Sequence, residues 1–190
     1  MAENRGAVAL VKRLAGFPAG DCCGESLTAP TVERETLRRL VVGSGQRVSL
    51  GRAISDDWPR IGNLLERSKL SPDGLKPWLM NTIVGLVGDE VVAVAAFEMY
   101  GDAGLLRSVA VIPDLRGRGL GAELVRMVEV LAAERGIGRF YLLTETADDF
   151  FSKLGYAKTT REALPAGMAK SELLRHVCPV SARVMVRDLK

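Results

Sequence analysis

The chain has 190 residues, 47% of them hydrophobic, and a net charge of +3. That is enough for one well-buried domain, and so small a charge makes no case for nucleic-acid binding. No uninterrupted apolar run reaches the roughly 18 residues of a membrane span.

The early apolar pieces, "AVALV" and "LAGF", are short and separated by Lys12 and Arg13. A secretory leader needs a longer apolar region and a small-residue cleavage site, so a cytoplasmic location is expected. Three cysteines, two of them adjacent (Cys22, Cys23), make no disulfide framework.

Residues 1–46 are rich in Gly, Pro, Ser and Thr and read as a poorly packed N-terminal extension. One short helix is expected there, Val32 to Val42, capped by Thr31 and ended by Gly43. The compact domain is expected over 47–190. "RVSLGRAI" reads as a short strand. Ser55 is the expected N-cap of a helix with apolar positions Trp58, Ile61, Leu64 and Leu65. "SPDGLKPWLMN" is a turn with a short helical piece. Three strands follow as a meander, with turns at Gly88-Asp89 and Gly101-Asp102. A long helix is expected from Gly119 to Arg135, with Leu120, Leu124, Val128 and Leu131 on its apolar face and Glu123, Arg126 and Glu134 elsewhere. "RFYLLTE" is a buried strand. Thr146 and Asp149 suggest a capped helix that Gly155 ends. "GYAK", a polar helix-prone stretch and the alternating strand "SARVMVRDL" complete the chain. An antiparallel meander followed by βαβ units indicates a mixed α/β fold.

The stretch "IPDLRGRGLGAEL" carries the strongest chemical signal. Glycines before a helix let backbone N–H groups converge on an anion, and the helix start adds partial positive charge. An ordinary glycine-rich turn is the plain alternative. Gly117 to Ala122 satisfies G-x-G-x-x-A, a dinucleotide fingerprint, with Glu145 after the next strand. Three observations oppose it. Four residues, Pro113 to Arg116, separate the strand from the first glycine. The preceding strands form a meander rather than parallel βα units. Too little chain follows for a second half.

Arg116, Gly119 and Gly121 also meet [QR]-x-x-G-x-[GA]. With the element order over about 48–190, the chain resembles the GNAT (GCN-related N-acetyltransferase) superfamily. The resemblance implies a mixed, mostly antiparallel sheet flanked by helices, and acetyl-CoA as co-substrate with no metal. It further implies pyrophosphate binding by Arg116, Gly117, Arg118, Gly119, Leu120, Gly121 and Ala122. The main chain of Val109 and Val111 would run along the pantetheine arm, with the N–H near Val109 polarising the thioester carbonyl. "FEMYGDAGLLRSVAV", "YLLTETADDFFSKLGY" and "HVCPVSARVMVRDL" are similar to the ArsN-type members found in arsenic-resistance gene clusters. That likeness implies N-acetylation of a small amine in arsenic detoxification. An amino-acid-like antibiotic or metabolite as acceptor, or a catalytically weak acyl-CoA-binding module, are the alternatives. The expected partner is a small-molecule amine, without nucleic acid or membrane, and a homodimer is left open.

Amine acetylation needs a base, oxyanion stabilisation and a positioned thioester. Glu98 is the candidate base. A two-residue turn at Gly101-Asp102 pairs Tyr100 with Ala103 and Glu98 with Leu105, and directly opposed residues share a face. Some family members carry their base Glu where Leu105 stands. The alternative is a solvent-facing or Arg107-paired glutamate. Arg107, in a strand that should be buried, needs an anion: a substrate carboxylate or arsenic oxyanion, or else Glu98 or Asp102. Many family members have a Tyr acid where this chain has Phe151, which leaves Tyr141, Ser152 or water, or no dedicated acid at all; Tyr156 reads as core. His176, the one histidine, reads as a helix-end cap. Cys178 is a site-lining or small core residue. Cys22 and Cys23 are weak candidates for arsenite, which favours three thiolates.

Overall fold

A computed structural model describes residues 36–43, 45–177, 179 and 181–189. Among these residues eight strands form one sheet: β1 (Thr36–Val42), β2 (Gln46–Arg52), β3 (Thr82–Val87), β4 (Glu90–Tyr100), β5 (Ala103–Val111), β6 (Arg139–Thr144), β7 (Ala157–Thr159) and β8 (Arg183–Asp188). Their spatial order is β1-β2-β3-β4-β5-β6-β8-β7. Only β5 and β6 run parallel, and they are paired solely through Ala103↔Arg139, Gly104↔Phe140 and Leu105↔Tyr141. Beyond Leu105 the two strands separate, and one edge of β5 is left open toward the gap.

Among the described residues three α-helices flank the sheet: α1 (Trp58–Arg67), α2 (Leu120–Glu134) and α3 (Asp148–Lys153). One face holds Phe97, Phe140, Leu106 and Met185 against Leu120, Leu124, Val128 and Leu131 of α2, the four positions that the helical spacing selects. The other face packs Val84, Val94, Ala96 and Ala110 against Ile61, Leu64 and Leu65 of α1. Each buried Val, Leu, Ile, Phe or Met contributes about 1.5–3 kcal/mol of burial, and the two layers fix the sheet between them.

The meander and its two turns fall where the sequence places them; Gly88 (φ 58°) and Gly101 (φ 67°) take the left-handed conformation that such turns need. Four local expectations change. Residues 36–42, expected as helix, are β1, paired with β2 through Leu40↔Val48 and its neighbours. The β-branched, half-alternating "TLRRLVV" gains more from a sheet partner than from an isolated helix turn. The sheet thus begins ahead of the expected 46/47 boundary; Thr31, Cys22 and Cys23 lie outside the described residues.

At the start of α1, Ser55 opens a 3-10 turn (Ser55–Asp57), and it is the buried Asp57 carboxylate that accepts the Ile54 N–H at 2.9 Å. Before α3, Thr146 makes no cap: Ala147 is the N-cap residue, without a side-chain cap bond, and its own N–H donates to the Thr144 hydroxyl at 2.9 Å. On α2, Glu123 is nearly buried, held by Arg38 and, at 3.1 Å, by Arg126.

Candidate active site

The glycine turn begins with a 3-10 turn (Pro113–Leu115) and enters α2 through Gly119, whose φ of 81° is left-handed. A side chain there would cost roughly 1–2 kcal/mol. The first intrahelical bond at this end runs from the Glu123 N–H to the Gly119 carbonyl at 3.0 Å. The N–H groups of Leu120, Gly121 and Ala122 therefore have no helical acceptor, as at any helix start. They sit beside the exposed Gly117 and Arg118 and the half-buried Gly121 and Ala122. Arg116 is not a loose surface charge. Its Nε donates to the Val111 carbonyl at 2.8 Å and braces the turn against the end of β5. The Arg118 guanidinium lies on Gly43 in the β1–β2 turn, where a Cβ would overlap it.

β5 runs from its last β6 partner, Leu105, to Val111, just ahead of this turn. Val109 and Val111 are half-buried against the α2-side core, so core packing and an open strand edge coexist in them. Between the pairs Val94↔Ala110 and Ala96↔Arg107, β5 carries a bulge, and Ser108 sits in it at φ 57°. A bulge re-aims the main chain of an otherwise regular strand. The far wall is α3. Phe150 faces the turn, its Cζ at 3.5 Å from where a Gly121 Cβ would stand, an ordinary contact that leaves room for Gly or Ala there. Phe151 is buried between Phe150 (centroids 5.0 Å) and Tyr156 (5.6 Å).

Glu98 lies at the place the turn geometry specifies, opposite Leu105, with Tyr100 opposite Ala103. Leu105 is also the last β5 residue paired with β6. Glu98 is 1% exposed, and both carboxylate oxygens are engaged. Arg107 donates through Nη1 to Oε1, and the Tyr100 hydroxyl donates to Oε2. The remaining Arg107 donors also meet protein: Nη2 the carbonyls of Asp73 (2.6 Å) and Ser71 (3.4 Å), Nε the Ser108 hydroxyl (3.3 Å). The Arg107 side chain is fully buried and ion-paired with Glu98, the pairing that the sequence offers as the alternative to a substrate anion. Burial, with the adjacent Glu98 next, pushes the Tyr100 hydroxyl up to about 12, so it stays a donor throughout the working range.

Tyr100 is the residue that sequence reasoning misses. Its signal was present: two residues from Glu98 on one strand, it shares the same face. The 3-10 turn Lys76–Asn81 brings Trp78 to Tyr100, with centroids 6.2 Å apart. Leu164, Met168 and Leu173, from the turns between β7 and β8, pack with Tyr100, Leu105 and Tyr141. The alternative acids fare unevenly. Tyr141 is buried in that same cluster, and Ser152 is exposed on α3. Tyr156 is core, its hydroxyl donating to the buried Glu129 at 2.9 Å. Thr146 is exposed. Cys178 and the His176 side chain lie outside the described residues. Among those described, no group of His, Cys, Asp and Glu is suited to a metal ion, and no helix is long and apolar enough to cross a membrane.

The sheet thus pairs β5 with β6 only over Ala103–Leu105, a glycine turn with free helix-start N–H groups opens α2, and Glu98 lies buried where that pairing ends. Residues 51–156 match the model of the "Acetyltransferase (GNAT) family", and the chain belongs to that family. The fold and the co-substrate implied by the sequence resemblance stand. An uncharacterised N-acetyltransferase of Chlorobaculum tepidum is 24% identical over 151 residues, 78% of this chain and 84% of that protein. An amino-acid acetyltransferase of Pseudomonas putida is 35% identical over 81 residues, 42% of this chain and only 19% of that protein. Among solved structures, N-acetylglutamate synthase from Neisseria gonorrhoeae, complexed with coenzyme A and L-arginine, superposes with a TM-score of 0.63 at 23% identity. That match covers 75% of this chain and 33% of the Neisseria protein. A Mycobacterium tuberculosis protein in complex with CoA gives 0.62 at 21% identity, covering 74% of this chain and 99% of that one.

Proposed function

We propose that this enzyme transfers the acetyl group of acetyl-CoA to the nitrogen of a small, amino-acid-like amine by direct attack, with Glu98 as the base. The observation that carries this reading is the position of Glu98: a buried carboxylate opposite Leu105, where β5 leaves β6 and the gap begins. The N–H groups from about Arg118 to Ala122 hold the pyrophosphate, and Arg116 keeps the turn fixed to β5. The open edge at Val109 pairs with the pantetheine arm, and its N–H polarises the thioester carbonyl. Arg116 already occupies the Val111 carbonyl, so Val111 contributes less.

In the reaction the amine lone pair forms the new C–N bond. The C–S bond breaks with its electron pair on sulfur, and the amine proton passes to Glu98. The thiolate is a competent leaving group and takes its proton from water. Phe151 stands where many family members have Tyr, and it has no proton to give.

An amino-acid acceptor is supported by the names of the Pseudomonas relatives. The likeness of three strings to ArsN-type proteins supports an arsenical amino acid and an arsenic-resistance setting. A thiol-release assay with acetyl-CoA and a panel of arsenical amino acids, ordinary amino acids and an amino-acid antibiotic separates these. Release dependent on one class assigns the acceptor. Measured acetyl-CoA binding with no amine-dependent release would leave an acyl-CoA-binding module.

A further inference from the structure

The Arg107 guanidinium touches three parts of the site at once. Nη1 binds Glu98 on β4, Nη2 binds the carbonyls of Ser71 and Asp73 in the connection from α1 to β3, and Nε reaches Ser108 in the bulge. The connection is itself tightly wound. The Asp73 N–H donates to Ser71 Oγ at 3.0 Å, Ser71 Oγ donates to Asp73 Oδ2 at 2.7 Å, and the Leu75 N–H donates to the Pro72 carbonyl at 3.1 Å. Gly74 lies between Arg107 and a second covering segment. A Cβ there would stand 2.8 Å from Glu172 Cβ and 3.5 Å from Arg107 Nη1, at a φ of 69°. The 71–74 turn is thus a roof over the Glu98 carboxylate, and the guanidinium is the joint between roof and base.

We propose that Arg107 is a positioning residue that couples Glu98 to this roof, so that one side chain sets both the carboxylate that meets the amine and the turn that closes over it. This rests on the reading of Glu98 as the base. A planar fork with five donors suits the task, and a lysine cannot make these contacts together. The coupling has a direct consequence: substitutions at Arg107 release the roof, whereas substitution of Glu98 alone leaves the carbonyl contacts of Nη2 in place.

Hydrogen exchange of the Asp73 and Leu75 amides in the full chain with CoA bound tests this, comparing wild type, Glu98→Gln, Arg107→Lys and Glu98→Gln/Arg107→Met. The double variant leaves no unpaired buried charge and keeps the test open if a single truncation fails to fold. Exchange at these two amides should rise about tenfold or more in Arg107→Lys and in the double variant, the scale of one lost hydrogen bond to a charged group. In Glu98→Gln it should stay near wild type. Steady-state rates with the amine turned over fastest in the thiol-release panel give the second readout. Arg107→Lys keeps a cation near Glu98, so the amine KM should rise more than kcat falls. Unchanged exchange in both Arg107 variants, or an equal loss spread over the whole chain, overturns the proposal. A wild-type rate in Glu98→Gln overturns the base reading instead, and the exchange result still decides the coupling.

Discussion

Substituting Gly104 with Ala tests the junction that opens the gap. A Cβ on Gly104 would stand 2.3 Å from Phe140 Cε1, 2.5 Å from Cδ1 and 3.2 Å from Ile137 Cγ2. Phe140 has no exposed surface and packs on Phe97 with centroids 5.4 Å apart, so its ring has nowhere to go. Overpacking of this kind costs about 1–3 kcal/mol. Gly104↔Phe140 is also the middle of the three pairs that hold β6 to β5. Strain released by pushing β6 outward would widen the gap on which the coenzyme depends. Urea unfolding and CoA titration should therefore both change: a lower midpoint and a weaker Kd. Gly104→Ala/Phe140→Leu removes the offending ring edge and should recover much of both losses. An unaltered midpoint in the single variant, or no recovery in the double, would refute the steric argument.

Other expectations follow from single contacts. Gly119→Ala, at a left-handed φ, should weaken CoA binding and cost roughly 1–2 kcal/mol of stability. Gly121→Ala should be tolerated, because its Cβ would meet Phe150 at an ordinary 3.5 Å; CoA titration of the pair checks both. Tyr156→Phe strips the hydroxyl from the buried Glu129 and should cost about 1–3 kcal/mol in urea unfolding while thiol release continues, since Tyr156 is not an acid in this reaction. Tyr100 makes stability fall in base. Burial pushes its hydroxyl up to about 12 in the fold from the 10.0 of a free tyrosine, so the folded state binds more protons between those values. Stability from this group is present below pH 10 and is lost as pH rises toward 12; Tyr100→Phe should flatten that part of the unfolding profile.

What the sequence discloses follows the range of the interaction. The meander was legible because Gly88 and Gly101 mark its turns locally, and from the second turn the Glu98↔Leu105 pairing follows by counting. The α2 face was legible from a 3.6-residue period. The strand at 36–42 was not, since its identity depends on a partner, β2, that no local propensity names. Thr146 does not cap α3, because the helix starts one residue later than the capping pattern implies, with Ala147 as its N-cap. The partners of Arg107 divide in the same way. Glu98 was foreseeable as a cross-strand neighbour, whereas the carbonyls of Ser71 and Asp73 come from a loop more than thirty residues away, and no spacing rule reaches them.

The most direct test of the assignment is the pH dependence of kcat/KM for Glu98→Gln against wild type, at saturating acetyl-CoA and with the amine turned over fastest. Removing a general base costs about 10²–10⁴ in rate. The expected result is a loss of that order, with the wild-type rise in rate at acid pH altered and CoA affinity retained. A variant with the wild-type rate and the wild-type profile would show that Glu98 takes no proton from the amine.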